Sequence, residues 1–158
     1  MIDIDPQFFQ RSARCWAAER EWGLPLEIEF YYLAIASELA LDAYLLMSGI
    51  DFEWIKRFTR HDLSKKLKLA RLMGLPHTTG LPKVINQISP YYRTHRLDYF
   101  VKTCGDVPPI LITRVMVLRL IELCEDASYD LSPNYARPGL EVPCRGPLLE
   151  SSNAPSRQ

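Results

Sequence analysis

The sequence predicts an all-α protein, and three features indicate that class. Apolar residues recur every three or four positions, prolines and glycines separate these segments, and no run shows the alternation typical of β-strands. The 158 residues, 47% of them hydrophobic and 24% charged, are enough to form one packed core. We therefore expect an antiparallel bundle of four to five helices over residues 1–128. An irregular, proline-rich C-terminal arm, partly disordered, is expected over residues 129–158.

Start and stop signals predict the first two helices. Asp5-Pro6 is a good helix start, and Gly23 is expected to end that helix. Pro25 opens a second helix that runs to about Met47. Its sequence is apolar nearly all round, which is typical of the central helix of a bundle.

The later elements are predicted by the same signals. A short piece covers residues 52–58, a helix runs from Thr59 or Arg60 to Met73, and another starts at Pro82, with Pro90 as its kink or end. Residues 96–107 fit either an extended piece or a further helical turn. Pro108-Pro109 begins the last predicted helix, which runs to about Asp126.

Composition excludes several classes of function. The 19 basic and 19 acidic residues cancel, which argues against binding a polyanion through net charge. We find neither an uninterrupted apolar run of membrane-spanning length nor a signal peptide, so we expect no membrane partner and a cytoplasmic location. The four cysteines and three histidines show no zinc-ligand spacing, so we expect free thiols, no metal and no cofactor. The charge is uneven, however: residues 51–102 carry eleven basic and four acidic side chains.

The most distinctive pattern lies in residues 33–75. An apolar helix reads A-x-E-x-A-L-x-x-Y-L from Ala36 to Leu45, and a second helix opens with His61-Asp62-Leu63. This stretch resembles the HEPN family of helical domains, named for nucleotide binding in higher eukaryotes and prokaryotes. The resemblance implies a binding or interaction module, for RNA or a nucleotide or beside a nucleotidyltransferase-like or antitoxin partner, that often pairs as a homodimer.

The resemblance also implies an alternative, a metal-independent endoribonuclease of the toxin type. Active members carry an Arg, then four to six residues and then a His, with a polar residue just after the Arg. Arg71 and His77 have this spacing, but the residue after Arg71 is apolar, and Gly74 and Pro76 would end the helix between the two. We therefore treat Arg71 and His77 as weak catalytic candidates and expect a helix-terminal Arg and an exposed loop His. A helical assembly scaffold with no ligand is the third alternative.

A basic segment predicts an anion-binding face. Its candidate ligand-binding residues are Arg57, Arg60, His61, Lys65 and Lys68. Arg57 and Arg60 precede a helix N-terminus, where the helix dipole favours phosphate. The lysines of this helix, Lys66 among them, are placed on its solvent side, so a solvated lysine face is the alternative.

Aromatic residues accompany these cations in two places. Trp54 and Phe58 could stack a base, although we expect them to anchor the turn in the core. Residues 91–96 combine two tyrosines with cations, which fits either a base-stacking platform or the packed end of a helix.

Two carboxylates interrupt the apolar second helix. Glu38 and Asp42 lie one turn apart, and paired carboxylates can serve acid–base chemistry or a metal. No second carboxylate pair completes a di-metal site, so a structural role is favoured. We expect a polar network in which His61 hydrogen-bonds Glu38 and Asp62 caps the next helix, fixing how the two helices cross.

The last predicted helix is apolar on most sides, and one bundle contact cannot cover all of those residues. We therefore expect a homodimer. The apolar residues concerned are Ile110, Leu111, Ile112, Val115, Val117, Leu118, Leu120 and Ile121.

Overall fold

The computed structural model describes residues 4–18 and 23–131, which form seven α-helices and no strand. The all-α prediction is therefore confirmed for this part of the chain. The predicted C-terminal arm lies outside the described residues from position 132 onward. The helices are α1 (Pro6–Ala17), α2 (Leu26–Met47), α3 (Phe52–Phe58), α4 (Leu63–Leu72), α5 (Leu81–Arg93), α6 (Leu97–Thr103) and α7 (Ile110–Leu131).

Helix α2 is the central element and contacts each of the other six helices. Its buried residues include Ala36, Leu41, Asp42 and Ala43, which lie on different sides of the helix. This arrangement confirms the prediction of a central helix. By length and composition alone α2 could also cross a membrane, but 61% of its most apolar 18-residue window is buried inside the protein, as in a core helix.

Aspartates cap three of the helices. Asp5, Asp51 and Asp62 each accept a hydrogen bond from a backbone N–H in the first turn of α1, α3 and α4. The predicted start at Asp5-Pro6 is confirmed. Helix α4 begins at Leu63 rather than at residue 59 or 60, because Asp62 occupies the cap position and Arg60 has a left-handed φ of 46°.

Several helix bounds differ from the prediction. Helix α1 ends at Ala17 because Ala18 is extended, well before Gly23. Helix α5 continues past the exposed Pro90, and the ambiguous segment after it contains the helix α6. Helix α7 continues past the predicted end at residue 126 and past the predicted domain boundary after residue 128. Nothing in residues 127–131 stops a helix, since the next proline is residue 133.

The packing of α4 and α5 on α2 positions the site. Both helices contact α2 and each other. The turn before α4 and the C-terminal end of α5 therefore lie together at one end of the fold, next to the middle of α2.

Candidate phosphate-binding cleft

A buried lysine joins α2 to α4. The side chain of Lys66 is 2% exposed, and its Nζ lies 2.7 and 2.9 Å from the two carboxylate oxygens of Asp42 and 2.9 Å from Glu38 Oε1. An unpaired charge in such a position would be strongly unfavourable, so the two carboxylates are what allows the ammonium group to be buried. The expectation that Lys66 lies on the solvent side of its helix is wrong.

The two carboxyl groups respond differently to this environment. Burial raises the pKa of Asp42 to about 6, although the Lys66 charge acts in the opposite direction. Burial also acts to raise the pKa of Glu38. There it is outweighed by the Lys66 charge and by hydrogen bonds from Tyr92, Lys66 and His61, which together hold the pKa below its ordinary value. The network therefore stabilises the ionised form of Glu38, whereas burial makes Asp42 easier to protonate as pH falls.

Glu38 also reaches the protein surface through His61. Its two carboxylate oxygens each lie 3.1 Å from His61 Nδ1, and the Tyr92 hydroxyl donates a further hydrogen bond to Glu38 Oε2. The structure therefore brings Glu38 and His61 together. His61 is 54% exposed, however, so the buried partner of Glu38 is Lys66, which the sequence interpretation placed elsewhere.

Asp62 ties the start of α4 to α5. It accepts hydrogen bonds from the Lys65 backbone N–H at 3.0 Å, from Ser89 Oγ at 3.2 Å and from Arg93 Nη1 at 3.2 Å. The Ser64 backbone N–H donates to Ser89 Oγ at 3.1 Å. These first-turn amides are already bonded, so the expectation that the α4 N-terminus itself binds phosphate is not supported by this geometry.

Cations converge instead on a cleft beside that N-terminus. The cleft has a volume of about 640 Å³, in the range of small-ligand sites. The residues that line it are Arg57, Phe58, Thr59, Arg60, His61, Asp62, Lys65, Arg93 and His95. Of the five candidate ligand-binding residues, Lys68 alone is absent from this lining. Arg93 and His95 belong to the segment 91–96, which fitted either a base-stacking platform or a packed helix end, and only the fold brings these two residues to the cleft.

The cleft is strongly positive. Asp62 is its one lining carboxylate, and it pairs with Arg93. Within the described part of the chain, Arg57, Arg60 and Lys65 have no carboxylate at salt-bridge distance, although Lys65 Nζ donates to the Phe58 carbonyl oxygen at 3.3 Å. Three cations are therefore available to an anionic ligand.

An aromatic pair stands at the edge of the cleft. The rings of Trp54 and Phe58 are 4.8 Å apart, the two residues are 42% and 48% exposed, and the Arg57 guanidinium lies 5.5 Å from the Phe58 ring. The expectation that both rings anchor the turn in the core is wrong. Exposed rings beside cations can stack on nucleic-acid bases.

Two cleft residues have left-handed backbones. Arg60 has a φ of 46° and His95 a φ of 56°, and among the described residues they are the only two other than glycine with positive φ. Arginine rarely adopts this conformation, whereas histidine does so several times more often than most residues. The turn at Arg60 is therefore the strained one, a feature common at functional sites.

The structure does not bring Arg71 and His77 into the cleft. Helix α4 ends one residue after Arg71, and Gly74, with a φ of 107°, turns the chain before the exposed His77. The Nε and Nη2 atoms of Arg71 are buried without a hydrogen-bond partner in the described residues. One helix therefore does not hold both side chains in register.

Comparisons with known proteins add no assignment. No family model, curated protein or solved structure matches this chain.

Proposed function

We propose that this protein is a HEPN-like helical module that binds single-stranded RNA, or a nucleotide as its smallest unit, in the cationic cleft. The observation that carries the proposal is the convergence of Arg57, Arg60 and Lys65 beside an exposed aromatic pair. The cations would contact phosphate groups, and Trp54 and Phe58 would stack on bases. In this proposal the helices form the antiparallel four-to-five-helix bundle of that family, followed by the proline-rich arm.

The distribution of charge favours this function over that of a bare scaffold. If the basic residues were only solvated, cations from separate helices and turns would not need to lie next to each other. Here Arg57 comes from α3, Arg60 from a strained turn, Lys65 from α4 and Arg93 from the end of α5. The arrangement places positive charge in a concave site, where the local potential is high although the whole chain is neutral.

We also propose that the protein is a homodimer, as the family resemblance implies, and that it pairs through the exposed apolar residues of α7. Leu111, Ile112 and Val115 are 65%, 50% and 61% exposed on this helix, whereas Val117, Leu120 and Ile121 are buried. A nucleotidyltransferase-like or antitoxin partner would be the alternative occupant of the same exposed residues.

The binding proposal is tested by fluorescence anisotropy with a short labelled single-stranded RNA at low salt. We expect the double variant R57E/R60E to weaken binding at least 30-fold, because it reverses two unpaired cleft charges. The matched control K83E/K102E changes the same net charge at two exposed lysines outside the cleft and is expected to bind nearly normally. Equal losses in both variants, or no binding by the parent protein, would support the scaffold instead.

A further inference from the structure

Aromatic side chains continue from the cleft across α3 to α1. Phe58, which lines the cleft, contacts Trp54 with 4.8 Å between ring centroids. Phe52 lies two positions before Trp54 and therefore on the opposite flank of α3. It contacts Phe9 of α1 at 5.6 Å, and Phe9 contacts Phe8 at 6.2 Å. We call these five residues the aromatic track.

The aromatic track is exposed at both ends. Phe8, at the end away from the cleft, is 61% exposed, and Trp54 and Phe58 are half-exposed. Phe9 and Phe52 are partly buried and lie between them. Single exposed apolar residues are ordinary on a protein surface, whereas neighbouring ones that form a patch are typical of an interaction site. The aromatic track therefore indicates a ligand that extends beyond the cleft.

The α1 end of the aromatic track carries little net charge, in contrast to the cleft. Lys56 pairs with Glu53 at 3.3 Å, and Arg11 pairs with Asp5 at 3.6 Å. The Asp51 side chain accepts a hydrogen bond from a backbone N–H as the cap of α3. Uncharged aromatic rings of this kind suit the faces of bases, whereas the unpaired cations of the cleft suit phosphates.

The length of the aromatic track indicates the size of the ligand. Phe52 and Phe58 are the first and last residues of α3, six positions apart, which is a rise of about 9 Å. Successive phosphates of a helical nucleic-acid strand are about 3.4 Å apart along its axis. A mononucleotide or dinucleotide in the cleft therefore does not reach Phe8, and a longer strand is needed. Its bases must also be unpaired, because a duplex hides their faces.

We infer that the cleft and the aromatic track form one continuous site for an unpaired RNA strand of at least about four nucleotides; this rests on the proposed RNA binding in the cleft. The cleft cations hold the phosphates at one end of the strand. Trp54 and Phe58 stack on the bases next to the cleft, and Phe8 stacks on a base at the far end. The preferred ligand is thus a strand rather than a nucleotide.

A second aromatic pair marks the other direction in which a strand could leave the cleft. Tyr99 is 45% exposed, its ring centroid lies 6.4 Å from that of Tyr91, and the Arg96 guanidinium lies 4.6 Å from the Tyr99 ring. Neither tyrosine lines the cleft, whereas Phe58 does. This difference favours the path over α3, and Tyr99→Ala tests the other path.

The test measures fluorescence anisotropy of the full chain with labelled oligouridylates of two, four, six and eight nucleotides. We expect affinity to rise at least about tenfold between two and eight nucleotides, and a duplex of eight base pairs to bind more weakly than the octamer. Phe8→Ala should weaken octamer binding at least about fivefold and leave dinucleotide binding unchanged. Phe8→Trp should bind the octamer like the parent, and Phe8→Leu should bind it like Phe8→Ala, because stacking needs a ring.

Salt dependence separates stacking from charge. Phe8→Ala should leave the slope of log Kd against log salt concentration unchanged for the octamer, because Phe8 contacts a base and no phosphate. Leu72→Ala, at an apolar residue 83% exposed on α4, is the matched control and should bind the octamer normally. Circular dichroism establishes that each variant is folded.

The outcomes distinguish the continuous site from the cleft alone. Affinity that does not rise beyond the dinucleotide, or equal losses in Phe8→Ala and Leu72→Ala, would overturn the inference and leave RNA binding in the cleft standing. A loss in Tyr99→Ala with none in Phe8→Ala would overturn it as well, since the strand would then leave by the other path. No RNA binding by the parent would remove both the inference and the proposed function.

Discussion

Lys66 Nζ on α4 lies 2.7 Å from Asp42 Oδ1 on α2, with the lysine side chain 2% exposed. This buried contact, extended by Glu38, connects the core of the protein to its cleft. Glu38 binds Lys66 on its inner side and His61 on its outer side. The charges that join the two helices therefore also orient a histidine of the proposed site.

The first prediction concerns the buried lysine. Lys66→Met should lower the free energy of unfolding by about 3–5 kcal/mol, because it leaves two buried carboxylates without their cation. Urea denaturation measures this change. Lys68→Met, at an exposed lysine of the same helix, should change stability by less than about 0.5 kcal/mol. Adding Asp42→Leu to Lys66→Met should recover part of the loss, and a Lys66→Met protein as stable as the parent would refute the buried pair.

The second prediction concerns acid stability. The pKa of Glu38 is lowered in the folded protein from its ordinary 4.5, so the unfolded chain binds more protons as pH falls and the Glu38 contribution to stability is lost below that value. Glu38→Gln should therefore lose less stability than the parent as pH falls below about 4.5. Urea denaturation at several pH values measures both profiles.

A control separates Glu38 from the other carboxyl groups. Asp42, whose raised pKa acts in the opposite sense, is coupled to Glu38 because the Glu38 charge helps to raise that pKa, so the comparison is repeated in an Asp42→Asn background, where residue 42 does not titrate. Glu53→Gln, at an exposed glutamate, should leave the acid profile unchanged. If Glu38→Gln follows the parent over the whole pH range, Glu38 is not held ionised by the network.

The third prediction concerns the strained turn. Arg60→Gly removes the Cβ from a residue with a φ of 46°, so stability should stay equal or rise by up to about 1 kcal/mol, while RNA affinity falls with the lost charge. Arg57→Gly removes a similar charge from the last turn of α3 and should instead cost up to about 1 kcal/mol. Thermal melts and anisotropy measure the two effects. Stability lost equally in both variants would contradict strain at Arg60.

The fourth prediction concerns association. The exposed apolar residues of α7 should make the protein a dimer, at twice the 18.2 kDa chain mass in light scattering. The double variant L111E/V115E should be monomeric. Leu72→Glu, at an apolar residue 83% exposed on α4, should remain dimeric. A parent protein that is monomeric at micromolar concentration would rule the dimer out.

Much of the fold could be predicted because its signals are local. Asp5-Pro6 starts α1, and the apolar run in α2 makes it central. The burial of Lys66 also had a local signal, which was missed because Lys66 was grouped with the solvent-facing lysines. It lies three residues after Leu63 and one before Leu67, on the apolar face of α4. Its two hydrogen-bond acceptors, Glu38 and Asp42, lie one turn apart on α2 and face Lys66.

The cleft could be predicted only in part, because it is assembled from distant segments. Arg57, Arg60 and Lys65 are close in sequence, but Arg93 and His95 join them only through the packing of α5 against α4. The left-handed φ values that shape both turns have no sequence signal either, since glycine is absent from those positions. Helix periodicity carries no information about contacts between residues that are far apart in the sequence.

The salt dependence of RNA binding tests the central claim, that the cleft cations contact phosphate, most directly. A plot of log Kd against log salt concentration for a single-stranded RNA should have a slope of about 2–3, since each contacted phosphate contributes about 0.7. Arg57→Gln should lower this slope by about 0.7, and Lys83→Gln should leave it unchanged. A slope near zero for the parent, or equal slopes for the parent and Arg57→Gln, would contradict the account.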